Sequence, residues 1–231
     1  MRNVNFLVSL IVMFLSGEGC RLKQPDTFLI EYHTSEIQID GDIDGMEWSR
    51  STTLTDLYSP WAPAERDSTI FRCFFSQKYF NFCFEVIDRT LTVLEYTDEI
   101  TVAKGDRVEL FFSPSSKLSS YYCLEINPNG YILDYKAQLY RKFNYLWNFN
   151  HRDIVGKITS TGYVVEGRIS LSELKKIDID LDKGFCLGIF RADFTGENEN
   201  SVIWYSWLNP HTKDPDFHIP SAFGKCKMKQ P

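Results

Sequence analysis

Two acids stand out for the chemistry they could share. Glu109 lies in "DRVELFF" and Glu125 in "YYCLEIN", two short runs in which apolar and polar residues alternate. If the runs pair as neighbouring strands with both acids on one face, the carboxyl groups approach to about 5 Å, the separation that a retaining glycosidase uses. The same groups can also act without breaking a bond, because carboxylates accept hydrogen bonds from hydroxyl groups. An open sheet face lacks the apolar pocket that would raise one of the two pKa values for general-acid work. Binding without turnover is therefore the leading expectation, and a glycoside hydrolase built on Glu109 and Glu125 is the alternative.

Other constellations carry less. "DGDIDGMEWSRS" sets Asp40, Asp42 and Asp44 at alternate positions before Gly45, which matches the start of an EF-hand calcium loop. The twelfth position should be a bidentate Glu and is Ser51, and the preceding "IEYHTSEIQI" has no helical stripe. An EF-hand is excluded, and the residues themselves call for no cofactor. His33, His151, His211 and His218 are scattered, with no pair at metal-ligand spacing. No nucleophile elbow, phosphate loop or dinucleotide motif occurs.

The elements that must position Glu109 and Glu125 are short strands. "STIFRCFFS" and "YFNFCFEVID" predict a hairpin, and further alternating runs follow at short intervals between turn residues. One helical turn stands out, "SLSELKK", with Ser170 and Glu173 in capping-box spacing. The pattern predicts an all-β chain, an antiparallel β-sandwich of immunoglobulin-like or jelly-roll type with one short helix. Strand parity then sorts the faces. Val108, Leu110 and Phe112 oppose Arg107, Glu109 and Phe111; Tyr122, Leu124 and Ile126 oppose Tyr121, Cys123, Glu125 and Asn127. In "GIFRADF", Arg191 and Asp193 alternate away from Phe190, Ala192 and Phe194. Each of these strands is expected to offer charged or amide groups to a single outer face, where acids, an amide and an arginine suit sugar hydroxyls. The bland alternative is a solvated sheet face that binds nothing.

Composition is that of a globular chain, 43% hydrophobic and 24% charged, and its 231 residues suit one sandwich better than two small domains. A net charge of −6 without any Lys/Arg cluster makes nucleic acid an unfavourable partner. Residues 1–20 read as a signal peptide: Arg2, the apolar run Phe6–Leu15, then "SGEGC". That apolar run is too short to span a bilayer, and Cys20 stands where a bacterial lipoprotein carries its lipid. Residues 21–36 read as a lead-in and 37–231 as the domain. The expected location is the outer membrane surface or the periplasm, with membrane contact only through the lipid at Cys20, or else free secretion. Five cysteines remain after Cys20, an odd number in apolar runs, where cysteine serves as a small buried hydrophobe. Cys73 and Cys83 could meet across the hairpin, but a one-residue change of register sends them to opposite faces.

The ordered blocks "IQIDGDIDGMEW", "DRVELFFSP", "YYCLEINPNG", "GYVVEGRISLSEL", "WYSWLNP" and "PDFHIPSAFG" together resemble the family 9 carbohydrate-binding modules, which share a β-sandwich with DOMON-like domains. The resemblance spans about residues 37–229 and implies non-catalytic glycan binding, often as an accessory to polysaccharide breakdown. A structural or interaction sandwich, or a haem-binding domain like some DOMON relatives, is a second alternative, although Met46 and Met228, in a turn and at the tail, are poorly placed to ligate a haem. The resemblance makes Trp48 a core plug rather than a ligand contact, and implies a structural calcium at Asp40, Asp42 and Asp44 as a secondary expectation. It also implies a sugar ring clamped between two tryptophans, whose positions fall near Ala103 and Phe217, with His218 beside the second. The clamp is thus missing one ring and has a smaller one at the other position; Trp61, Tyr96, Trp147 or Trp207 could substitute from a loop, although a core role is the leading expectation for each, because large aromatics dominate burial. The candidate sugar site is Glu109, Tyr121, Glu125, Asn127, Arg191, Asp193, Phe217 and His218.

Overall fold

The structure is a computed structural model that describes residues 27–55, 57–62, 68–196 and 201–229. The predicted signal peptide and Cys20 lie outside the described residues. In chain order the strands are β1 (Phe28–Ile30), β2 (Thr52–Leu54), β3 (Thr69–Phe75), β4 (Tyr79–Ile87), β5 (Arg107–Ser113), β6 (Tyr121–Ile126) and β7 (Ile132–Gln138). They continue as β8 (Lys142–Asn144), β9 (Arg152–Ile158), β10 (Gly162–Ser170), β11 (Phe185–Phe194), β12 (Val202–Ser206) and β13 (Gly224–Met228). One sheet runs β1-β13-β11-β5-β6-β7-β8, with β12 also on β11; the other runs β2-β3-β4-β10-β9. Among these strand pairs β1–β13 is parallel and the rest are antiparallel. The expected β-sandwich is present. β1 belongs to the stretch expected as a lead-in and pairs with the last strand.

Alternation builds the core between the sheets. Val108, Leu110, Phe112, Leu124, Ile126, Leu187 and Ile189 face Phe71, Phe75, Phe80, Phe82, Phe84 and Val165, all buried. Each such side chain taken out of water contributes about 1.5–3 kcal/mol, the main force that holds the sheets together. The outer face of the first sheet is also apolar. Phe111, Tyr121, Cys123, Tyr135 and Phe190 form a second cluster, roofed by Val102 from a 3-10 helix (Glu99–Lys104) and by Phe217 and Phe223. β5, β6 and β11 are therefore buried on both faces along their whole length.

Two local expectations hold, the capping box by half, since the Ser170 N–H donates to the His151 carbonyl at 3.0 Å and not to Glu173. α2 (Leu171–Lys176) starts at Ser170, whose hydroxyl accepts the Glu173 N–H at 3.2 Å; the sequence gives no such cap to α1, a four-residue turn at Met46–Ser49. Trp48 is a plug: it packs on Phe74 and Cys83 on the outer face of the second sheet. Its Nε1 donates to the fully buried Glu166 at 3.0 Å, and the other Glu166 oxygen accepts the N–H groups of Asp40 and Gly41 at 2.8 and 2.7 Å. Asp40 and Asp42 each accept a backbone N–H two residues on, so this Asp-Gly stretch shapes its own turns and docks on Glu166. Cys73 pairs with Phe82 and Cys83 with Arg72, which puts the two thiols on opposite faces; all five described cysteines are free and buried.

Candidate functional site

Register brings the paired acids together. Glu109 of β5 lies directly opposite Glu125 of β6, and Phe190 of β11 lies opposite Glu109 on the other side. Arg107, two residues before Glu109, shares its face and reaches both acids. Its Nε donates to Glu125 Oε2 at 2.7 Å, and Glu109 Oε1 lies 2.9 Å away. Nε carries one hydrogen, and that hydrogen points at Glu125. Glu109 Oε1 thus has a charge beside it but no hydrogen bond, although it is buried. Arg107 Nη1 donates to the carbonyls of Ala103 and Gly105 at 3.0 and 3.3 Å, and the Tyr135 hydroxyl donates to Glu125 Oε1 at 2.8 Å.

These groups floor a cavity of about 230 Å³. Its walls are Trp204, whose ring lies 5.4 Å from the Arg107 guanidinium, with Phe217 and His218. Its rim is Arg141 and Asp216, joined at 2.9 Å. Burial, and then the neighbouring Glu125, push the Glu109 carboxyl up to about 8 against the pull of Arg107. At neutral pH it keeps its proton and can donate as well as accept. Burial, and then Arg141, press His218 down to about 4, so its ring is neutral at pH 7, with Nδ1 3.1 Å from the Tyr121 hydroxyl. The floor and walls thus pair hydrogen-bond donors and acceptors with flat apolar surface.

Of the residues expected in the site, Glu109, Glu125, Phe217 and His218 line this cavity. Tyr121 stands behind it, fully buried, and orients His218. Asn127 shares the face, but its Oδ1 accepts the N–H groups of Asn129 and Tyr131, which fixes the β6–β7 turn. Arg191 and Asp193 do not belong to this face. The parity was right and the face was wrong: they share the inward side of β11 with Leu187 and Ile189, while Phe190 turns outward onto Phe217 and Phe223. The expectation failed because both faces of β11 are apolar, so the charged side was not the outer one. Arg191 instead binds Asp88 and Asp193 between the sheets at 2.8 and 3.0 Å. Phe217 is a plug as well as a wall: it is 5% exposed and stacks on Phe190 with centroids 4.1 Å apart.

Sequence reasoning missed Trp204, Arg141 and Asp216, and it put Arg107 on the right face without including it in the site. The signal for Trp204 was parity, since it sits opposite Ala192, which sits opposite Arg107, so all three share one face. Ala103 offers a carbonyl to Arg107 where an aromatic platform was expected, and Trp204 supplies the ring from another strand. Three buried acids could also crowd a cation, Asp88, Asp106 and Asp193, with oxygens within 4.8 Å of one another. Arg191 already brings positive charge to two of them. Both Asp106 oxygens accept backbone N–H groups, from Thr92 at 2.6 Å and Phe194 at 2.7 Å.

No curated protein sequence matches the chain. Among solved structures, the fold is similar to that of a family 9 carbohydrate-binding module from Caldicellulosiruptor kristjanssonii in complex with glucose. That match has a TM-score of 0.58 and 18% identity, and covers 87% of this chain and 96% of that one. A structure of a family 9 module from the same organism in complex with cellotriose matches with a TM-score of 0.56 and 18% identity, covering 87% and 94%. A candidate carbohydrate-binding protein from Bacteroides uniformis matches with a TM-score of 0.57 and 16% identity, covering 76% and 87%. The family model described as "Carbohydrate family 9 binding domain-like" matches residues 39–230. The chain belongs to this family of carbohydrate-binding domains.

Proposed function

We propose that the protein holds one sugar ring in the cavity floored by Arg107, Glu109 and Glu125, and that it does so without turnover. The observation that carries this is the buried, unbonded Glu109 Oε1 on the floor of an aromatic-walled cavity. A buried acceptor left unpaired costs about 1–3 kcal/mol, which a ligand hydroxyl would recover. At about 230 Å³ the cavity falls below the roughly 300–1,000 Å³ of pockets for drug-sized ligands, which suits a single ring. The Trp204 ring offers a flat face to sugar C–H groups. Arg107 Nε lies within 3 Å of both acids. A retaining hydrolase instead sets its two carboxyls on either side of the scissile bond, whereas here one guanidinium draws both to itself on the cavity floor, so the pair reads as a hydrogen-bonding floor.

The signal-peptide reading of residues 1–20, with Cys20 as a lipid anchor, would place this binding at a cell surface, as an accessory to polysaccharide breakdown by other proteins. Titration calorimetry with mono- and oligosaccharides tests the pocket. Trp204→Ala should weaken binding at least fivefold, with no reducing sugar released by the wild type. Binding that survives Trp204→Ala unchanged in a folded protein places the sugar elsewhere, and turnover lost in Glu125→Gln makes the protein a hydrolase. Cells fed labelled palmitate should label the wild type but not Cys20→Ser.

A further inference from the structure

The cavity opens beside a ring that the sugar-binding reading has not used. β7 and β8 pair Gln138 with Lys142, so Leu139, Tyr140 and Arg141 form a three-residue loop. Tyr140 is 55% exposed, unusual for a large aromatic, yet it is held at several points. Its hydroxyl donates to Asp216 Oδ2 at 2.8 Å and accepts from Arg141 Nε at 2.9 Å. The Arg141 guanidinium lies 5.4 Å from the ring centroid, and its Nη2 donates to Asp216 Oδ1 at 2.9 Å. An exposed tyrosine in solution normally samples several rotamers; this one is pinned at its polar end.

We propose that Tyr140 is a second sugar subsite, a platform for the ring linked to the one in the cavity. This rests on the reading of the cavity as a sugar site. Continuity supports it, because Arg141 and Asp216, the two groups that pin Tyr140, also form the rim of the cavity. Exposure rises along that path, from 2% for the Glu109 side chain on the floor to 41% for Arg141. A cavity sized for one ring must let the rest of a glycan leave along its exposed side, and there the chain meets a flat aromatic surface. A fixed ring gives up little conformational freedom when a sugar covers it, which favours binding. The rival role for Tyr140 is a latch, in which only the hydroxyl matters, since it ties Arg141 to Asp216.

Calorimetry on the full protein with D-glucose, D-xylose, D-mannose, D-galactose and the β-linked trisaccharide of each separates these roles. The readout is the ratio of trisaccharide to monosaccharide affinity within each variant, so any disturbance of the cavity itself cancels. The wild type should favour its trisaccharide by about three- to tenfold. Tyr140→Ala should reduce the ratio to about one, and Tyr140→Phe, which keeps the ring and removes the hydroxyl, should retain most of it. A wild-type ratio of one, a ratio that survives Tyr140→Ala, or equal loss in Tyr140→Phe overturns the subsite while leaving the cavity reading intact. A wild type that binds no member of the panel overturns the cavity reading and the subsite with it.

Discussion

The first sheet carries two arginines that each bind two acids, and they differ in what lies over them. Arg107 holds Glu109 and Glu125 on the outer face; Arg191 holds Asp88 and Asp193 between the sheets. The burial of the arginines is nearly the same, 5% and 0% exposed. Each group holds a buried polar atom without a hydrogen bond, Glu109 Oε1 in one and Arg191 Nε in the other, yet only the Arg107 group borders this cavity. The Arg191 group is closed in by Thr69, Tyr163 and Tyr205. A buried ion pair therefore does not mark a site by itself. What marks one is a buried polar atom left without its hydrogen bond beside open volume.

Removing each arginine in turn should separate the two groups most strongly. Arg191→Met leaves two buried carboxylates without their guanidinium, and breaking such a pair costs about 3–5 kcal/mol. Thermal or urea unfolding should show that loss, with sugar affinity retained in the folded fraction. Arg107→Met should destabilise by only about 1–3 kcal/mol, because beside the cavity Glu109 keeps its proton and Glu125 alone loses a counter-charge, but it should abolish sugar binding. Equal stability losses would show that the cavity does not distinguish the two clusters.

Phe217→Ala comes next, because this residue joins the pocket to the packing beneath it. Deleting a buried Phe costs about 3–5 kcal/mol, and here the stack on Phe190 goes with it. The unfolding midpoint should fall strongly, and affinity should drop too, since the ring is also a wall. A well-folded variant with weakened binding alone would return Phe217 to the role of a pure ligand platform.

Strand parity along β5, β6 and β11 was legible in the sequence, and so were the helix cap at Ser170 and the buried role of Trp48. What alternation could not reveal was which side of β11 faces outward. A strand buried on both faces has no apolar contrast, and only the roof of Val102, Phe217 and Phe223, folded over from distant segments, decides it. The pocket was half legible for a related reason. Glu109 and Glu125 announce themselves by type and register, whereas Trp204 lies in a run, "IWYSWL", where every second residue is also large. Arg141 and Asp216 come together across 75 positions of sequence, a pairing that no local pattern encodes.

The smallest expected effect follows from the proton on Glu109, and it sharpens the contrast between the open and closed clusters. Its carboxyl sits near 8 in the folded protein against 4.5 ordinarily, so the folded state binds a proton that the unfolded state has lost across that interval. Stability from this group is full below about pH 4.5, declines as pH rises and is gone above about pH 8. Asp106 in the closed cluster behaves in the same way up to about 7, while His218, lowered to about 4 from 6.5, adds stability as pH rises through that window. Above pH 7, therefore, Glu109 is the group among these three that still titrates. The melting temperature of the wild type should keep falling from pH 7 to about 8.5, and Glu109→Gln, which fixes the neutral form, should flatten that last segment. The open cluster adds a second readout that the closed one lacks. If the proton on Glu109 is donated to the sugar, affinity should also weaken as pH rises through about 8, and Glu109→Gln should remove that dependence. A dissociation constant that stays level from pH 6 to 9 in the wild type would mean that this proton points into the sheet and not into the cavity, which would leave Arg107 and Glu125 as the polar groups that read the ligand.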